Sequence, residues 1–317
     1  MSRGRHVVFG AGQVGSLLAE RLLTEGHEVR VAKRSAGGVP PGAEAMLGDA
    51  ASKEFCSEAA AGAAVVYHCM NPPYSAKVWA ELLPRYMQNL IAASARAGAR
   101  LVVLDNVYML GKPNGKRLTE DTPVNPVSRK GEIRARTAQL LFDAHNRGDV
   151  RATIGRASDF YGPRGTLSSL GDFFWPRVLK GRSGQAIANP DMVHTFHYIP
   201  DVAAGLATLG SAPDDAFGRP WMLPCQPAGT FRDLVRRLEQ PFGAPIRLSI
   251  VPGWMQSLLG IFVPPLREMP EMRYQWEEPF VIDDSAFRNR FGATPENADR
   301  AAAATVEWAR THYGGRS

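Results

Sequence analysis

The sequence predicts an α/β protein: a Rossmann-type, doubly wound parallel sheet of six or seven strands with a smaller C-terminal substrate lobe. Three observations carry this. Short apolar runs alternate with helical patterns through the first half, as βαβ units require, because parallel neighbours need crossover connections. A glycine-rich turn, Gly10-Ala11-Gly12-Gln13-Val14-Gly15, follows the first run and opens the first helix. Beyond Asp159 the texture changes to shorter segments punctuated by Gly162-Pro163, Gly181, Pro190, Pro200, Pro213, Pro220, Pro224 and Pro227.

Taken in order, strands are expected at His6–Gly10, Val29–Ala32, Ala45–Leu47, Ala63–His68, Arg100–Asp105 and Arg151–Arg156. Ser16–Glu25 reads as a helix because Leu17, Leu18, Leu22 and Leu23 share a face, and Gly26 stops it. Ser75–Ala97 is a long helical stretch closed by Gly98, and Lys130–Asn146 is another, ending at Gly148. Val193–Ile199 and Trp221–Leu223 read as extended pieces, Pro200–Leu209 as a helix able to return to the sheet, and Ala293–Tyr313 as the terminal helix. Residues 1–160 are thus expected to form an NADP-binding domain and 161–317 mainly a substrate lobe, partly interleaved with it.

Composition narrows the function classes. The chain has 317 residues, 44% hydrophobic and 21% charged, enough apolar material for a sizeable core. A net charge of +6 over this length is mild and gives no nucleic-acid signature. Cys56, Cys69 and Cys225 are far apart and form no CxxC, so neither a disulfide scaffold nor a zinc or other metal site is expected. The N-terminal Met1-Ser2-Arg3-Gly4-Arg5 runs straight into a strand pattern, so no signal peptide is expected. The most apolar late segment, Trp254–Val263, is interrupted by Gln256 and Ser257 and closed by Pro264-Pro265, too short for a membrane span. The expectation is a cytoplasmic protein acting on a small-molecule substrate.

The glycine turn has a mechanism. Gly10 permits the tight turn, Gly12 lets the backbone approach a pyrophosphate, and Gly15 allows the helix to pack closely. Gln13 and Val14 begin the helix whose free N–H groups and positive dipole end face the phosphates. At the end of the second strand, an NAD site places Asp or Glu on the ribose 2′-hydroxyl. This chain has Lys33-Arg34-Ser35 there, cations that pair with a 2′-phosphate, so NADP(H) is the expected cofactor.

With that loop in place, the chain resembles the extended and atypical short-chain dehydrogenase/reductases of the NAD-dependent epimerase/dehydratase type over nearly its whole length. Gly48-Asp49-Ala50 is similar to the family's adenine-contacting pair, implying Asp49 and Ala50 at the adenine. Asn71-Pro72-Pro73 stands where the family wraps the cofactor ribose. Arg156-Ala157-Ser158-Asp159-Phe160-Tyr161-Gly162-Pro163 resembles the family's R-x-x-x-x-Y-G-P. His194-Thr195-Phe196-His197-Tyr198-Ile199-Pro200-Asp201 is similar to its F-x-x-V-x-D segment near the substrate. The resemblance also implies a homodimer through Ser75–Ala97 and Lys130–Asn146.

The departures fall on the chemistry. Where the family carries Tyr-xxx-Lys, this chain has Lys130 and Arg134, whose i, i+4 spacing keeps both on one helix face. Asn106 takes the place of the family's catalytic Ser or Thr, and Tyr108 falls where the sugar-nucleotide dehydratases carry an acid. Three readings follow. The first is NADPH-dependent reduction of a carbonyl or activated C=C in a small organic molecule, with Lys130 or Tyr108 as proton donor, Arg134 holding the ribose and Asn106 orienting substrate. The alternatives are an NADP(H)-binding redox sensor without turnover and a nucleotide-sugar epimerase or dehydratase.

Asp159, Tyr161 and His194 are candidate substrate residues, although Tyr161 could equally anchor its turn. His194 and His197 face opposite sides of a strand and make no metal pair. Arg267–Phe280 mixes aromatics with charges and reads either as a lid offering Tyr274 and Trp276 to substrate or as a loop packing on the core. Phe55, Cys56 and Cys69 read as core.

Overall fold

The structure, a computed structural model, describes residues 4–186, 189–251, 268 and 270–315. Trp254–Val263 and Arg267, named above, lie outside those residues. The chain divides into two units. Unit 1 comprises residues 1–111, 123–157 and 202–223, and unit 2 comprises 112–122, 158–201 and 224–317.

Unit 1 is built on β1 (Arg5–Phe9), β2 (Val29–Lys33), β3 (Glu44–Leu47), β4 (Ala63–His68), β5 (Arg100–Asp105), β6 (Arg151–Arg156) and a returning strand, β11 (Pro220–Met222). Their order is β11-β6-β5-β4-β1-β2-β3, and every neighbouring pair is parallel. The central strands are continuous apolar runs because both faces are covered: Val7, Val8, Phe9, Val66, Tyr67, Leu101 and Val102 are all buried. Helices α1 (Gln13–Thr24), α2 (Lys53–Ala59), α3 (Ala76–Ala97) and α4 (Arg129–Asn146) make the crossovers. The order reverses between β1 and β4, which locates the binding crevice at the carboxyl ends of those strands.

Unit 2 has its own core around Phe174, Trp175, Phe196, Phe231, Leu238 and Val306. Among the described residues it holds three short strand pairs. These are β7 (Asp159–Tyr161) with β10 (Phe196–Tyr198), β8 (Gly184–Ala186) with β13 (Leu248–Ile250), and β9 (Val193–His194) with β12 (Gly229–Thr230). Its helices include α5 (Trp175–Val178), α7 (Phe231–Phe242), α8 (Ser285–Phe291) and α9 (Ala298–Gly314); α6 (Ile199–Ser211) begins in unit 2 and continues into unit 1.

The differences from the sequence expectation have local causes. The extended piece at 193–199 splits into β9 and β10, because the Thr195 N–H goes to the Phe280 carbonyl and its Oγ1 accepts the Ile282 N–H. The terminal helix starts at Ala298, not Ala293, since Asn297 Oδ1 accepts the N–H groups of Asp299 and Arg300 and caps it. Residues 112–122 belong to unit 2 because Leu118 hydrogen-bonds Val281 and Asp283. Residues 202–223 belong to unit 1 because β11 pairs with β6. Among the described residues, no helix is long and apolar enough to cross a membrane.

Candidate functional site

The glycine turn follows β1 directly. Gly10 has φ 97°, and a Cβ there would stand 2.8 Å from Met70 Cγ. A Cβ on Gly15 would lie 1.9 Å from the Gly10 carbonyl oxygen, so α1 packs onto the turn only because that side chain is missing. At Gly12 a Cβ would meet nothing within 4 Å. Gly12 is also the N-cap of α1, with no side-chain cap and no acidic residue in the first turn. Open space, a helix start with no side-chain cap and no acidic residue in the first turn coincide, and this fits a dinucleotide pyrophosphate.

At the end of β2, Lys33 is half-buried and its ammonium donates to the Gly37 carbonyl, whereas Arg34 is exposed. No carboxylate occupies the strand end. Asp49 Oδ1 accepts the Ala51 N–H at 2.8 Å, the buried Ala50 gives its carbonyl to Asn89 Nδ2, and Arg85 Nε donates to the Ala51 carbonyl. Arg85 is a candidate that the sequence did not mark. Burial and Asp49 push the neighbouring Tyr86 phenol up, and Arg34 and Arg85 act against them, which brings Asp49, Arg34 and Arg85 to one neighbourhood around that phenol.

The face of α4 is denser. Ser128 Oγ accepts the Gly131 N–H and caps the helix, and a Cβ on Gly131 would stand 2.6 Å from the Tyr108 carbonyl oxygen, so α4 runs close against the 3-10 turn Tyr108–Leu110. Arg134 Nη1 donates to Asp105 Oδ1 at 3.1 Å, and Nη2 donates to Asn71 Oδ1 at 2.6 Å. The Arg134 guanidinium carbon lies 4.5 Å from the Trp79 ring centroid. Lys130 Nζ lies 4.5 Å from the Tyr74 ring centroid, and the lysine is wholly buried. Asn106 Oδ1 accepts the Tyr108 N–H at 3.0 Å, and Tyr108 itself is half-buried.

Burial governs the titration here. It raises the Asp105 carboxyl above its ordinary range, while Arg134 and Arg156 pull the other way. Burial, then the Arg134 charge, lowers His68 from 6.5 to about 3, and the neutral ring accepts the Met70 N–H.

Asn71, Asn106, Tyr108, Lys130 and Arg134 are therefore gathered in unit 1, the two cations on one helix face. Tyr74, Trp79 and Asp105 join them without any local sequence signal.

In unit 2, His194 is fully buried, stacked on Trp276 at 4.2 Å and 2° between planes, and parallel to Phe280. Its Nε2 lies 2.7 Å from Asp159 Oδ2, but out of line for a hydrogen bond. Trp276 is half-buried and ends the 3-10 helix Pro270–Trp276, in which Tyr274 is buried. Tyr161 is enclosed in the core against the Tyr198 ring, where burial raises its phenol. Among the described residues, no group of three His, Cys, Asp or Glu is arranged to hold a metal.

Comparison with known proteins bears on this geometry. The profile of the family described as "NAD dependent epimerase/dehydratase family" matches residues 7–220. UDP-glucuronic acid decarboxylase 1 of Xenopus tropicalis is 23% identical over 225 residues, covering 63% of this chain and 52% of the relative. The chain thus spans about half the length of the curated relatives it matches. The UDP-glucuronic acid 4-epimerase of Bacillus cereus, in complex with NAD, superposes with a TM-score of 0.76 at 16% identity, covering 98% of this chain and 99% of the other. A double mutant of the dTDP-glucose 4,6-dehydratase DesIV from Streptomyces venezuelae gives 0.78 at 19%, covering 98% of each chain. At such identities the superpositions show the fold alone.

Proposed function

The chain belongs to the NAD-dependent epimerase/dehydratase family, and from that premise we propose that it is an enzyme that binds a nicotinamide dinucleotide and uses hydride transfer to transform the sugar of a sugar nucleotide. One observation carries the reading: the uncapped, acid-free start of α1, opening at Gly12 onto free space inside the family-matched segment. The relatives are named as a decarboxylase, an epimerase and a dehydratase of UDP- or dTDP-linked sugars, and these names favour a sugar nucleotide over the small carbonyl compound expected from the sequence.

When bound, the dinucleotide supplies a hydride acceptor and donor at its nicotinamide ring. Gly10, Gly12, Gln13, Val14 and Gly15 hold its pyrophosphate through the backbone. Asp49 and Ala50 line the adenine, and Lys33 and Arg34 meet a 2′-phosphate, which favours NADP(H). Asn71 and Arg134, fixed to each other, stand on the ribose side. Tyr108 is the acid–base group of this reading, since its side chain is partly open while Lys130 is closed beneath Tyr74. Lys130 contributes a buried positive charge, and Asn106 fixes the Tyr108 backbone. In unit 2, the half-buried Asp159 and Trp276 are the substrate-side residues of this reading, with His194, Tyr161 and Tyr274 supporting them from the core.

The test is incubation with NADP+ or NAD+ and a panel of UDP- and dTDP-sugars, with products separated chromatographically. The expected result is conversion of at least one sugar nucleotide. Tyr108→Phe should lower kcat by about 10²–10⁴-fold while leaving dinucleotide affinity intact. A second reading, NADPH-dependent reduction of a carbonyl or activated C=C, is favoured by one observation: α4 offers Lys130 and Arg134 where a phenolate base would stand, and reduction needs a proton donor, not a base. NADPH oxidation by aldehydes or ketones, with no sugar-nucleotide conversion, would select it. Dinucleotide binding without turnover of either class would leave the redox-sensing function.

A further inference from the structure

Trp79 stands near the start of α3, only 1% exposed, in a small core with Ala76, Leu83 and Ile133. Its indole meets three separate pieces of unit 1. Nε1 donates to the Pro72 carbonyl at 3.3 Å, holding the turn that carries Asn71. Tyr74 of that turn packs edge-on, with centroids 5.4 Å apart and planes at 90°. Tyr108 stacks on the ring at 6.2 Å and 13°, and the Arg134 guanidinium lies 4.5 Å from its centroid.

Arg134 uses Nη1 for Asp105 and Nη2 for Asn71, while its Nε has no hydrogen-bond partner. Two contacts at the tips of the guanidinium leave its plane free to rock about the line joining them. A flat aromatic face against a planar cation removes that freedom, because guanidinium–indole attraction is greatest with the rings stacked and the site dry. Trp79 supplies that face, and it also carries the turn from which Asn71 meets the same guanidinium.

We propose that Trp79 is a positioning residue for the nicotinamide-ribose side of the cofactor site: its indole sets the plane of Arg134 and, through that guanidinium, the hydrogen bond to Asn71. The same contact to Tyr108 ties the acid–base candidate to that frame. This role rests on the reading that unit 1 binds a nicotinamide dinucleotide, and the experiment separates the two.

The experiment is a double-mutant cycle in which dinucleotide Kd is read by nicotinamide fluorescence with NADPH and NADH as probes. Trp79→Phe, which keeps an aromatic face, should bind within about twofold of the parent. Trp79→Leu, which keeps bulk without a π-face, should bind about tenfold more weakly, the ratio a desolvated cation–π contact commands. Once Arg134 is lysine, Trp79→Leu should cost little more, because its effect passes through the guanidinium. Leu83→Ala, in the same small core, should lower Tm with Kd unchanged. Trp79→Met takes the place of leucine in the cycle if the leucine variant fails to fold.

Equal affinity of Trp79→Leu and the parent would overturn the proposal. So would losses from Trp79→Leu and Arg134→Lys that simply multiply in the double variant. A parent protein that binds neither probe overturns the cofactor reading, and the role of Trp79 with it.

Discussion

The two sides of the candidate dinucleotide site in unit 1 are made of different material. The cradle at Gly10–Gly15 is backbone, and its requirement is space: 1.9 Å at one glycine, an empty surround at another. The face of α4 is side chain, and its requirement is partnership: Arg134 answered by Asp105, Asn71 and Trp79, Lys130 by Tyr74. A site defined by space can be filled only by glycine and leaves its spacing visible. A site defined by partnership admits other residues wherever compensating neighbours are present, as Tyr74 is for Lys130 and Asp105 and Asn71 are for Arg134.

The largest expected effect tests the space requirement. Gly15→Val drives a side chain into the Gly10 carbonyl and should cost at least about 3 kcal/mol in chemical denaturation. Gly12→Ala meets nothing, so its denaturation midpoint should match the parent while dinucleotide affinity falls. If Gly12→Ala unfolds as readily as Gly15→Val, the cradle is a packing feature and the distinction fails.

Partnership is tested next. Asp105→Ala strands the Arg134 guanidinium in a site where both side chains are under a tenth exposed, and should destabilise by about 3–5 kcal/mol. A loss below about 1 kcal/mol would show that the guanidinium finds water or another partner, and that the pair is not a structural tie.

The smaller effects follow. His68 is held at about 3 in the folded chain against 6.5 ordinarily, so the unfolded state takes up the proton first as pH falls. Stability is therefore lost progressively from pH 6.5 towards 3, about 2 kcal/mol of it by pH 5 from this one ring. His68→Gln should flatten the acid slope by that amount, leaving the part due to His6, which burial and His27 lower to about 4. The smallest effect concerns the β2 end: Arg34→Ala should reduce the preference for NADPH over NADH about tenfold. An unchanged ratio would assign the selectivity elsewhere, with Lys33 and Arg85 the other cations to examine.

How much was legible follows the same division. Ala63–His68, Arg100–Asp105 and Arg151–Arg156 could be bounded from sequence because each is a mostly buried, largely apolar run ending where the next connection begins. Helix α2 was not read, since seven residues give too few turns for a periodic pattern, and its clearest mark is the Ser52 cap. The allocation of 112–122 to unit 2 depends on Leu118 pairing near Ile282, a contact with no local trace. In the candidate site, the glycines and the Lys130/Arg134 register were visible as spacing. Trp79 and Asp105 were not, because stacking and ion pairing between distant segments leave no period. Nor did the sequence distinguish Lys130 from Tyr108 as proton carrier; the burial of the lysine under Tyr74 is a fact of packing.

Whether the backbone cradle at the start of α1 holds a nicotinamide dinucleotide is tested most directly by titration of the parent and of Gly12→Ala with NADPH and NADH, following nicotinamide fluorescence. Saturable binding by the parent is expected, tighter for NADPH, with a loss of at least about tenfold in Gly12→Ala at unchanged Tm. Absence of binding by the parent, or equal affinity of the two proteins, would contradict it.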